Sequence, residues 1–196
     1  MPDSPHLIQS TVDWIRTTPN RSRLYMTAFQ SPRYILAPYL PTAPDVVERM
    51  LDLAGVAPGD IVLDLGCGDG RLAIAASLRG AEALGVDIEA HWVECARRNA
   101  EAAGVASRAR FVQEDALAVD PSAASVVLLY LVEWSAQRVA QSLLQRCRPG
   151  TRVVSNSFGL AQSGQTRCDR FEDASGQSRC LHLWIVPGDP KRASSR

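Results

Sequence analysis

The chain has 196 residues, 46% of them hydrophobic, which suits one globular domain with a sizeable core and room for a short extension. Lys plus Arg and Asp plus Glu number 21 each, and the resulting zero formal charge speaks against a general nucleic-acid binder. No apolar run approaches the ~18 residues of a membrane span and no export signal opens the chain, so the expectation is a cytoplasmic protein that binds neither membrane nor nucleic acid.

Residues 1–40 read as an N-terminal helical extension. Ile8, Val12 and Ile15 fall at helical spacing, Thr18-Pro19-Asn20 breaks the pattern, and Tyr25 and Phe29 share one face of a second short helix. The segment either packs on the core or forms a lid. In Tyr39-Leu40-Pro41-Thr42-Ala43-Pro44-Asp45, the T-x-x-D pattern of Thr42 and Asp45 predicts a capping box with Pro44 in the first turn. Val47, Met50, Leu51 and Ala54 then mark one helix face, and Gly55 ends it.

The central stretch is Ile61-Val62-Leu63-Asp64-Leu65-Gly66-Cys67-Gly68-Asp69-Gly70-Arg71. An aliphatic strand with one acid stops at Gly66, glycines recur at every second position, and a helix begins after Gly70. Such a turn exposes backbone N–H groups at a helix N-terminus and lets a ligand come close. Arg71 itself reads as a solvated or helix-end charge. A second strand, Ala83-Leu84-Gly85-Val86-Asp87, ends on an acid where a ribose diol would lie. A helix over about 89–103 follows, then a third strand at 109–113 and Asp115 just beyond it. A dinucleotide site of the form G-x-G-x-x-G would want glycine at 71, where the chain has Arg71, and the acid Asp64 is foreign to that pattern.

Ser125-Val126-Val127-Leu128-Leu129-Tyr130 is a nearly all-apolar strand, as expected where both faces are covered. A helix over about 135–147 leads to a fifth strand at 151–156, and two further strands at 166–172 and 178–186 close a hairpin. The tail 189–196 reads as disordered. Together these elements predict an α/β fold: a doubly wound, mostly parallel seven-stranded sheet with an antiparallel C-terminal hairpin, the domain spanning residues 41–188.

Cys67, Cys95, Cys147, Cys168 and Cys180 form no C-x-x-C pair, and the three histidines are scattered, so free thiols and no metal site are expected. Cys168 and Cys180 can face each other on a hairpin, but the preferred expectation is two ordinary strand residues.

D-x-G-x-G-x-G at Asp64–Gly70, followed by Asp87 and Asp115, resembles the class I S-adenosylmethionine-dependent methyltransferases of seven-stranded, Rossmann-like fold. From Tyr39-Leu40-Pro41-Thr42 to Leu183-Trp184-Ile185-Val186-Pro187 the chain is similar to small bacterial relatives of the lysine methyltransferase that modifies the ATP synthase c-subunit. It departs from them at Val132-Glu133-Trp134 and Asn156-Ser157-Phe158-Gly159-Leu160, both on the acceptor side. The resemblance implies S-adenosyl-L-methionine as cofactor. Gly66, Cys67 and Gly68 would pass its methionine part, Asp64 would receive its ammonium, Asp87 its ribose and Asp115, with Ala116 nearby, its adenine. Tyr39, Thr42 and Ile88 complete the implied cofactor-binding set. Tyr130, Glu133 and Asn156 are the candidate catalytic residues, with Trp134 and Ser155 beside them. The acceptor reads as a protein lysine or, alternatively, a small molecule taking the methyl on N, O or C. A non-catalytic cofactor-binding protein is the less favoured alternative, and the oligomeric state is not legible.

Overall fold

The computed structural model describes residues 41–130, 142, 145–156 and 166–188. Seven strands, β1 (Ile61–Leu65), β2 (Glu82–Asp87), β3 (Ala109–Gln113), β4 (Val126–Leu129), β5 (Arg152–Asn156), β6 (Thr166–Glu172) and β7 (Ser178–Ile185), form one sheet in the order β3-β2-β1-β4-β5-β7-β6. The pairs β1–β2, β2–β3, β1–β4 and β4–β5 are parallel, while β7 runs antiparallel to both β5 and β6. The expected mostly parallel sheet with a closing hairpin is therefore the architecture found.

Three helices, α1 (Pro44–Ala54), α2 (Arg71–Leu78) and α3 (Ala90–Ala102), contribute to one buried cluster, with Val62, Ala83, Phe111, Val126 and Val154 from the strands beneath. The other face of the sheet buries Leu63, Leu65, Val86, Val127, Leu129, Val153 and Trp184 with Val119 and Cys147. Alternate residues of β1 thus enter opposite cores, as the period of two requires. Because the chain steps from β1 to β2 and β3 on one side and then crosses to β4 on the other, the order reverses between β1 and β4. In an open α/β sheet that reversal opens a crevice at the carboxyl ends of the strands.

Two local expectations are corrected. The Thr42–Asp45 capping box does not form: Ala43 is the N-cap of α1 in an extended conformation, with no side-chain cap. Thr42 is buried and its carbonyl accepts a hydrogen bond from Arg71 Nη1 at 2.7 Å, while Asp45 Oδ2 accepts one from the Ala174 N–H at 2.7 Å. A long-range partner has taken the Asp45 carboxylate that local capping would use. Cys168 and Cys180, expected as unbridged strand residues, are joined by a disulfide with Cα atoms 6.4 Å apart. The register explains it: Cys168 sits opposite His182, so Cys180, two residues before His182, lies diagonally across on the same face. The predicted helices within 1–40 and at 135–147 fall mainly outside the described residues.

Candidate active site

The site is built from the ends of β1, β2 and β4 and the glycine turn after β1. Leaving β1, the chain turns so tightly that the N–H groups of Gly66 and Cys67 both donate to the Val86 carbonyl, at 2.8 and 2.9 Å. Gly70 has φ +83°, and a Cβ there would stand 2.8 Å from both Ala96 Cβ and the Phe111 ring. Glycine is required at this point by backbone conformation and by space together. The Phe111 ring also closes over Gly85, where a Cβ would come within 2.5 Å of it. The turn is thereby clamped between α3 and β3.

Acids converge on this turn. Asp64, on β1, is 1% exposed, and its Oδ2 has no hydrogen-bond partner. Burial pushes its carboxyl up to about 7, with the nearby Asp87 and Asp69 adding to the shift against a hydrogen bond from the Ala73 backbone. Asp87 accepts from the Gly68 N–H at 2.9 Å and from the Glu89 N–H at 3.0 Å, so both oxygens are oriented by backbone donors. Burial raises its carboxyl too, and those two donors only partly offset it. Asp69 is different. Its carboxylate is held by the Arg71 guanidinium, with Nε 2.9 Å from Oδ1, and the same guanidinium reaches Thr42. Arg71, expected as a solvated or helix-end charge, is instead a half-buried clip between the segment before α1 and the glycine turn. A cation two residues after an acid inside such a turn was the available signal.

Ile88, just past β2, is 43% exposed, an apolar surface beside the Asp87 carboxylate. Asp115 is exposed and its Oδ1 accepts from the Leu117 N–H at 2.9 Å, so it caps a turn at the end of β3, while Ala116 is buried in the second core. Cys67 is buried and its thiol is pushed well above its ordinary range by that burial and by the surrounding acids, which makes it a neutral wall group.

On the other side of the crevice, Ser155 and Asn156 are each 1% exposed at the end of β5. Leu129 pairs with Ser155, so Tyr130, one residue on, stands level with Asn156. Sequence reasoning missed what holds Tyr130. Arg179, at the start of β7, lies close enough to Tyr130 for the two side chains to interact, and it donates from Nε to Asp173 Oδ2 at 2.7 Å. Asp173 also accepts from Ser175 and from the Gln177 N–H, and these donors, the Ser175 hydroxyl foremost, hold its carboxyl well below the usual range. Tyr39, Glu133 and Trp134 lie outside the described residues.

Residues 64–167 match the family model of the ANTKMT methyltransferase domain. The chain belongs to the ANTKMT methyltransferase family. It is 36% identical over 151 residues to a protein-lysine N-methyltransferase of Saccharolobus islandicus, covering 76% of this chain and 93% of that one. Identity to a Xenopus laevis lysine N-methyltransferase named for the ATP synthase c-subunit is 30% over 134 residues, covering 67% and 59%. A solved RNA methyltransferase from Salinibacter ruber, in complex with S-adenosyl-L-homocysteine, superposes with a TM-score of 0.71 at 38% identity, covering 76% of this chain and 95% of that one. The protein is an S-adenosylmethionine-dependent methyltransferase. The residues present fit that cofactor, which brings an ammonium and a sulfonium: among the described residues no Lys or Arg ion pair reaches Asp64 or Asp87, and one Asp64 oxygen is buried without a partner.

Proposed function

We propose that this methyltransferase acts on the side-chain amine of a protein lysine. The observation that carries the reading is the 36% identity to a protein-lysine N-methyltransferase over 93% of that relative's length. On the donor side, Asp64 Oδ2 would accept from the cofactor's ammonium, the backbone of Gly66, Cys67 and Gly68 would line its methionine part, and the Asp87 carboxylate would take the ribose hydroxyls. Ile88 would offer the adenine ring an apolar face, Asp115 and Ala116 would bound its far edge, and Thr42 would belong to the wall above. When bound, S-adenosylmethionine supplies a methyl group already activated by a sulfonium.

What is left to the protein is orientation and desolvation. A lysine amine attacks only when neutral, and its ordinary pKa of ~10.4 leaves little free amine at neutral pH. The Tyr130 ring can hold the incoming ammonium and then favour its deprotonation as water is excluded. Asn156 and Ser155 supply buried polar atoms beside it, and Glu133 and Trp134 are the remaining acceptor-side candidates.

The test is a labelled-methyl assay on cell lysate separated into protein, RNA and small-molecule fractions. Methyl-lysine in protein is the expected product. Label confined to RNA, the acceptor named for the Salinibacter relative, or to a small molecule would overturn the lysine reading. Tyr130→Ala should cut transfer strongly and leave cofactor affinity nearly unchanged.

A further inference from the structure

The outer hairpin carries a donor set that methyl transfer does not use. Cys168 on β6 faces His182 on β7, and Cys180 lies two residues before His182, so all three side chains share one face. Their ligand atoms lie within 4.8 Å of one another, and none of the three is buried. We propose that Cys168, Cys180 and His182 form a binding site for a soft divalent cation, zinc in the first instance, which is available when the two thiols are reduced and withdrawn when they are joined.

Two thiolates and one imidazole are a donor set that zinc prefers over oxygen-rich alternatives. A tetrahedral ion with Zn–S of about 2.3 Å and Zn–N of about 2.0 Å spaces its ligand atoms roughly 3.5–3.8 Å apart. With all three ligand atoms within 4.8 Å of one another, side-chain rotation suffices to part the sulfurs and bring the set to that spacing. The backbone is held still meanwhile. Seven register pairs join β6 to β7, and the opposite face is pinned by buried Leu181, by the Asp169–Arg49 ion pair at 3.0 Å and by Arg49 stacked 4.2 Å over the Phe171 ring. Arg170, directly across from Cys180, offsets the negative charge of two thiolates. With three protein ligands and partial exposure, the fourth position is open to water or to an outside ligand.

The disulfide in the structure is the closed state. Opening takes two electrons from a low-molecular-weight thiol: the Cys168–Cys180 bond breaks, two cysteine thiols form, and the reductant leaves as its own disulfide. Zinc then displaces the two thiol protons into solvent. The site lies on the strand next to β5, with His182 paired to Ser155.

The experiment uses the full chain, reduced with a phosphine under anaerobic conditions, desalted, and titrated with zinc chloride against a chromogenic chelator. One zinc per chain is expected after reduction and none for the oxidised protein. His182→Ala and Cys168→Ser should each weaken binding at least tenfold, and cobalt in place of zinc should give a thiolate charge-transfer band that both variants lose. Should Cys168→Ser fail to fold, His182→Ala, which leaves the bridge intact, carries the test alone. Failure of the reduced protein to bind zinc, once thiol titration has shown the bridge to be open, overturns the proposal. So does unchanged affinity in His182→Ala, because His182 would then not be a ligand of the ion.

Discussion

The two ends of the sheet treat their acids in opposite ways. Where the parallel strands begin, Asp60 is met by the Ser125 hydroxyl at 2.7 Å, the Ala57 N–H at 2.9 Å and the Arg152 guanidinium, which also donates to the Ala54 carbonyl at 2.7 Å. Burial pushes Asp60 up, yet these partners outweigh it and hold the carboxyl below its ordinary value. Where the strands end, burial wins at Asp64 and Asp87, and both are raised. An acid matched by the chain's own cation is a rivet. An acid left without one can meet a cation brought from outside, which is the role proposed above for Asp64. Asp69 with Arg71 and Asp173 with Arg179 show that cations were available at the finishing end, so the lack of one at Asp64 among the described residues is specific to that position.

The largest effect that would sharpen this contrast is the pH dependence of the ligand-free protein. With Asp64 near 7 when folded and 3.8 when unfolded, the unfolded chain ionises first. The contribution of Asp64 to stability should be full below about pH 4, fall as pH rises, and level off above about 7, a loss on the order of 4 kcal/mol. Asp64→Asn should flatten that slope, and saturating cofactor should oppose it. Urea midpoints between pH 5 and 8 measure both, and an unchanged slope in the variant would remove Asp64 from the account.

Arg152→Ala, at the opposite end, should cost about 2–4 kcal/mol of stability, since it strands Asp60 and two carbonyls, while cofactor affinity stays the same. Calorimetry on the folded variant checks this, and a matching loss of affinity would break the division between the ends. Asp87→Ala should do the reverse, weakening cofactor binding by about 1.5–3 kcal/mol with little effect on melting. The smallest effect belongs to Arg179→Ala. Releasing Tyr130 should slow turnover about fivefold, near 1 kcal/mol, at unchanged cofactor affinity, with partial recovery in Arg179→Lys.

Much of the donor side could be read before the structure. Asp64, the glycine turn and Asp87 are close in sequence because one β-turn-α-β unit delivers them, and local pattern suffices for such a unit. The mostly parallel sheet with its closing hairpin followed from the alternation of elements. What escaped depended on contacts across the sheet. Thr42 and Asp45 match a capping box, yet Arg71 and Ala174 claim them from 29 and 129 residues away. The Cys168–Cys180 bridge required the register of β6 against β7, which no spacing rule supplies. Arg179 reaching Tyr130 needed the position of β7 beside β5, known only once the sheet is assembled.

The insertion of β7 between β5 and β6 also has a consequence for the order in which the protein becomes competent during synthesis. The residues proposed to hold the donor, Asp64 to Ala116, leave the ribosome before β4, β5, β6 and β7, and N-terminal portions fold first. Tyr130 emerges soon after, but its anchor waits for Arg179, and Arg179 waits for Asp173 and the turn that docks on Asp45. On the reading proposed above, a nascent chain would therefore carry its donor-side residues well before Arg179 comes to lie beside Tyr130, so the place for the methyl donor would take shape before the place for the acceptor.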